Sequence, residues 1–126
     1  MDSTHSKQRT KVIKEFDDII NNNEISKRIE ESIFNYVVNI CQNKKIKTSF
    51  SNKYFSRYYL NKCISLYDNI NPKSYIKNVN LLTKIYNDEI NIDKIAEYTP
   101  QQLYPEQWNK LIEKKNTQDE ILYSKK

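Results

Sequence analysis

The chain has 126 residues, 37% of them hydrophobic and 29% charged, with a formal net charge of +5 and a pI near 9.1. That length suits one domain with a real core and is too short for two of ordinary size. Ten Tyr and four Phe supply burial area that disordered chains lack, while the absence of Gly disfavours hairpin-rich β architectures and glycine loops that cradle phosphate.

The positive charge favours an acidic partner, nucleic acid or an acidic protein face, although a genome biased toward Lys, Asn and Ile gives the same excess without shared function. No apolar run approaches the roughly 18 residues of a membrane span, and the polar first ten residues lack the apolar segment of a signal peptide. An intracellular protein with no membrane partner is expected. Cys41 and Cys63 are the only cysteines. Two widely spaced thiols read as buried small hydrophobes rather than a disulfide, and they fall short of the about four ligands of a zinc ribbon.

In chain order, residues 1–8 form a flexible polar leader. Val12, Ile13, Phe16, Ile19 and Ile20 recur at helical spacing and predict a helix over 9–21, broken by Asn21-Asn22-Asn23. Ile25, Ile29, Ile33, Tyr36, Val37 and Ile40 predict a second helix over 24–41, with Glu24, Glu30 and Glu31 toward its positive N-terminal end. Residues 42–51 read as a basic loop. A third helix over 52–68, capped by Ser51 or Asn52, carries Tyr54, Phe55, Tyr58, Tyr59, Cys63, Leu66 and Tyr67. After Pro72, Tyr75, Ile76, Val79 and Leu82 form the apolar face of a short helix that Ile85 and Tyr86 extend. Asn91 or Asp93 caps a brief helix bearing Ile95 and Ala96, Thr99-Pro100 starts another turn, and a last helix from Pro105 carries Trp108, Leu111 and Ile112. The expected fold class is all-α, a three-helix bundle with additional short C-terminal helices.

The order of these signals is more specific than any one of them. Asn71-Pro72 followed by Val79 and Leu81-Leu82, then Ile95-Ala96-Glu97-Tyr98-Thr99, resembles the central domain of transcription elongation factor S-II (TFIIS). Ile29-Glu30-Glu31-Ser32-Ile33-Phe34 is similar to that family's Ile-Glu-x-x-Ile/Leu-Phe pattern, and the ending Tyr104-Pro105-Glu106-Gln107-Trp108 looks most like S-II homologues of large DNA viruses. The chain departs from the family at Leu60-Asn61, where an Arg-Ser pair is usual, and at Ser65-Leu66-Tyr67-Asp68, where Asn-Leu-Lys-Asp is usual. The likeness covers about 9–115, leaving 116–126 as the start of a C-terminal linker.

The resemblance implies a factor that docks on a multisubunit RNA polymerase near its jaw and helps rescue arrested complexes by stimulating the polymerase's own cleavage of backtracked RNA. In that mechanism a C-terminal zinc ribbon brings an Asp-Glu pair to the active site. No ribbon is visible here, so the chain is expected to dock without activating cleavage, to need no cofactor of its own, and to be a monomer that is not an enzyme. Asp119-Glu120 lacks the cysteine setting of the ribbon and does not inherit its role. If viral, the protein would work in the host nucleus or at a cytoplasmic site of viral transcription.

The candidate polymerase-binding residues are Lys44, Lys45, Lys47, Lys53, Arg57, Lys62, Lys73 and Lys77. The first six interleave with Tyr54, Phe55, Tyr58 and Tyr59. For nucleic acid such cations neutralise phosphate while exposed rings stack on bases; the plainer reading puts the rings in the core with the cations at its rim. Two other classes stay open: a small helical nucleic-acid-binding protein, and a competitor module occupying the elongation factor's site on polymerase. The only histidine, His5, lies in the leader, where nothing holds it against a partner, and the paired acids Asp17-Asp18, Glu30-Glu31 and Asp88-Glu89 read as solvated faces. Trp108 reads as a core residue.

Overall fold

The computed structural model describes residues 3–74 and 76–106, and among them every regular element is helical. Three long helices, α1 (Ser3–Ile20), α2 (Asn23–Asn43) and α3 (Lys53–Ile70), precede α4 (Val79–Tyr86), a 3-10 helix (Ile92–Glu97) and the single turn α5 (Pro100–Leu103). The expected three-helix bundle with short C-terminal helices is the observed architecture. The segment from residue 107, with Trp108, Leu111, Ile112 and Asp119-Glu120, lies outside the described residues, as does Tyr75.

α2 is the axis of the fold. It packs against α1, α3 and the 3-10 helix, and its buried residues Ile29, Glu30, Ser32, Ile33, Val37 and Cys41 point in more than one direction. α1 contributes Val12, Phe16 and Ile20, one residue per turn, and α3 contributes Phe55, Tyr59, Cys63, Leu66 and Ile70. Cys41 and Cys63 are buried free thiols, as the sequence suggested. An edge-on contact between Phe16 and Tyr67, with ring centroids 6.0 Å apart, closes α1 onto α3.

With no glycine available, other residues take the left-handed backbone positions, three of them at helix ends and Lys77 ahead of α4. Asn21, Lys45, Lys77 and Asp88 have φ between 56° and 59°. At the end of α2 the Lys45 amide donates to the Gln42 carbonyl and the Ile46 amide to the Cys41 carbonyl, a Schellman closure with lysine where glycine is usual. Asp88 does the same after α4.

Several expected boundaries move. α1 begins at Ser3, six residues before the predicted start at 9, because residues 3–10 hold no Gly or Pro and Arg9 is anchored to α2. His5 is therefore within α1 rather than in a leader. Asn71-Pro72 does not open a helix: Asn71 ends α3, its side chain accepts from the Lys73 amide, and its carbonyl accepts from Ser74, so residues 71–74 form a turn. The helix starts at Val79, capped by Asn78 after Lys77 has turned through positive φ. Its buried face is Leu81 and Ile85, and Val79, expected to be buried, is 60% exposed.

Asn78 is fully buried and joins two elements. Its Oδ1 accepts from the Asn80 and Leu81 amides while its Nδ2 donates to the Leu103 carbonyl at 2.9 Å. The Thr99-Pro100 start is as expected, with a capping box between Thr99 and Gln102.

Candidate functional site

The basic loop between α2 and α3 is held in place by its one aromatic residue. Phe50 lies 5.1 Å from Phe55 and 4.9 Å from Tyr59, centroid to centroid, both edge-on. Ile46 also packs against the core. Asn52 then caps α3, accepting from the Tyr54 and Phe55 amides. Lys44, Lys45 and Lys47 are thus presented on an anchored loop beside the first turns of α3, and all three are exposed.

α3 splits its aromatic residues between two faces. Phe55 and Tyr59 are fully buried, as the core reading required, but Tyr54 is 55% and Tyr58 36% exposed on the outer ridge, against that reading. The reason is spacing: residues 55, 59, 63 and 66 fill one stripe, and 54, 57, 58 and 61 fall on the other side of the helix. A cleft of about 240 Å³ lies between Tyr54, Arg57, Tyr58 and Asn61. Lys53 Nζ stands 5.3 Å from the Tyr54 ring centroid and Lys44 Nζ 5.9 Å from that of Tyr58.

Six of the eight predicted cations therefore share a region, with one variation and two exceptions. Lys62 is half-buried, 4.7 Å from the Tyr36 ring on α2, and burial lowers its pKa. Lys73 and Lys77 lie beyond the other end of α3, about 26 Å away by helix rise, and do not join the cluster. Between Glu31 and Asp68 the chain has no Asp or Glu. The described ion pairs, Arg9–Glu30, Arg28–Asp93 and Lys84–Glu106, leave the six cations unneutralised.

On the opposite flank, α2 meets the 3-10 helix. Ser32 Oγ accepts from the Ala96 amide at 3.1 Å, and Ala96, fully buried, lets the two backbones approach closely. Asp93, considered as a cap, instead forms a fork with Arg28 at 3.0 and 3.2 Å, which holds its carboxyl below the usual range. Asn91 occupies the N-cap position without a side-chain bond. An open groove of about 240 Å³ here is lined by Ser32, Asn35, Tyr36, Asn39, Asp93 and Glu97.

A buried ionic cluster ties the three long helices together. Arg9 donates to both oxygens of Glu30, with Nη2–Oε1 at 2.8 Å, and the Tyr59 hydroxyl donates to Glu30 Oε2 at 2.8 Å. The Arg9 guanidinium also lies 4.0 Å over Phe34. Glu30 is 1% exposed, which corrects its reading as part of a solvated acidic pair; Glu31 beside it is exposed. Spacing carried the signal, since Glu30 sits three, four and seven residues before Ile33, Phe34 and Val37 on the apolar stripe. Nothing in the sequence pointed to Arg9 as its partner.

Among the described residues no group of three His, Cys, Asp or Glu comes together to hold a metal, and Cys41 and Cys63 are sealed in the core. The residues described do not fit a zinc site. No described helix is long and apolar enough to cross a membrane.

The family model described as transcription factor S-II (TFIIS), central domain, matches residues 3–120. The chain belongs to that family. Comparison with curated proteins gives no match, and comparison with solved structures gives none. An S-II central domain is a helical bundle and an accessory part of an elongation factor, not itself a catalyst. The likeness in Ile29–Phe34 and Ile95-Ala96 now has a physical content here: Glu30 closes the ionic cluster, and Ala96 lets the 3-10 helix close on Ser32.

Proposed function

We propose that this S-II central domain docks on a multisubunit RNA polymerase through the anchored loop of Lys44, Lys45 and Lys47 and the first half of α3, with Lys53, Arg57 and Lys62. It acts there as the anchoring part of an elongation factor whose full form stimulates cleavage of backtracked RNA. One observation carries the reading: six cations lie within a stretch, residues 32–67, that contains no carboxylate. Such a face steers toward an acidic surface and repels a basic one. The Tyr104-Pro105-Glu106 ending supports a viral source and an intracellular place of work, wherever that polymerase transcribes.

The test is retention on an immobilised cognate polymerase. The chain is retained at low salt and released as salt rises, and Lys44→Glu, Lys45→Glu and Lys47→Glu together lower affinity at least about tenfold. Reversal of Lys73 and Lys77, beyond the far end of α3, leaves retention unchanged. Absence of retention at low salt, or equal retention of the triple variant, refutes this docking mode. Added to a cleavage assay with full-length factor, the domain inhibits in proportion to its occupancy of the shared site.

A further inference from the structure

We propose that the outer ridge of α3 binds single-stranded RNA, with Tyr54 and Tyr58 stacking on successive bases and the flanking cations taking the phosphates. Two tyrosine rings on consecutive turns are left 55% and 36% exposed. Between them the cleft of about 240 Å³ is lined by Tyr54, Arg57, Tyr58 and Asn61, ring faces with one cation and one amide.

The spacing favours an extended strand. Residues four apart on a helix rise about 6 Å along its axis, whereas bases in a duplex strand step about 3.4 Å. Two bases that stack on these rings must therefore be unstacked from one another, as in a single strand. Lys53 and Lys44 now rest 5.3 and 5.9 Å from the two rings. An exposed contact of that kind is weaker than a base stack, so each lysine can exchange its ring for a phosphate as a base arrives. No carboxylate between Glu31 and Asp68 opposes the backbone. The choice of RNA over DNA rests on the polymerase-docking reading, since the transcript is the single strand such a factor meets; because Lys44, Lys53 and Arg57 serve both, RNA and polymerase exclude one another on this ridge, and the domain takes RNA only when it is off the docking face.

Fluorescence anisotropy with the whole chain and labelled oligouridylate at low salt tests this. Binding is expected, with weaker binding to duplex RNA. Tyr54→Ala and Tyr58→Ala each lower affinity between about 5-fold and about 150-fold while Tyr54→Phe and Tyr58→Phe retain it. The phenylalanine variants keep the wild-type unfolding midpoint, and Tyr54→Ala, at the more exposed ring, separates a loss of stacking from a loss of fold. No binding at low salt, alanine variants within twofold of wild type, or equal affinity for duplex each overturns the inference, and tighter binding of oligothymidylate overturns the choice of RNA. If the alanine variants lose polymerase retention and keep RNA binding, the ridge serves a protein and the inference fails. RNA binding that depends on the rings, without retention on polymerase, refutes the docking reading alone.

Discussion

Glu30 shows how one side chain organises the bundle. A carboxylate at 1% exposure is tolerated because Arg9 meets both its oxygens and Tyr59 supplies a third donor, so the charge is neutralised and its lone pairs are used. The two partners differ in access to water. Arg9 is 23% exposed and can swing out if Glu30 is lost, while Glu30 has nowhere to go if Arg9 is lost. Arg9→Met is therefore expected to cost about 3–5 kcal/mol and Glu30→Gln distinctly less, read from urea unfolding midpoints; equal losses would place the cluster nearer to solvent than it is here. The same pocket predicts alkaline sensitivity. Burial pushes the Cys63 thiol from 9.0 up to about 12 and pushes the Tyr59 hydroxyl up as well. Both groups stay neutral in the folded chain where the unfolded chain ionises. Their contribution is thus fully present below about pH 9 and is lost as pH rises toward 12. The unfolding midpoint should fall across that window, and Cys63→Ala should flatten part of the fall.

At the scale of the element, amphipathic spacing located the three long helices to within a few residues, α1 excepted, because each buries one regular stripe. The failures have a common cause. Asn71-Pro72 and the apolar residues after it carry helix signals, yet the backbone there is committed to other bonds: Asn71 turns the chain, Lys77 takes positive φ, and buried Asn78 must reach Leu103. Such bonds depend on a residue 25 positions away and leave no local mark. Lys45 is a second case, since a long charged side chain in the left-handed region costs about 1 kcal/mol relative to glycine. Lys45→Gly is expected to raise stability by roughly 0.5–1 kcal/mol in thermal unfolding while weakening polymerase retention. A loss of stability would mean that the lysine stem packs productively where it stands.

For the whole molecule the distribution of charge matters more than its sum. The net +5 is modest, but the loop and the start of α3 hold cations without a carboxylate, whereas Asp88, Glu89, Asp93 and Glu97 stand exposed in and before the 3-10 helix. Screening at about 0.1 M salt acts over about 10 Å, so cations grouped on one loop and two helix turns act on a partner together. The loss expected from the triple charge reversal should therefore appear mainly as slower association, and should shrink as salt is raised. A loss confined to dissociation would point to a packed rather than an electrostatic interface.

By itself the sequence determined the helical class, the three principal stripes, the cation-rich stretch and, through the order of its motifs, the family. Those are properties of spacing and composition, which neighbours along the chain decide. Tertiary structure alone decided that Tyr54 and Tyr58 face outward while Phe55 and Tyr59 fill the core, that Lys73 and Lys77 fall away from the other cations, and that Arg9 finds Glu30. Each depends on which side of a helix meets its partners, and that is settled only when distant segments compete for the same interior.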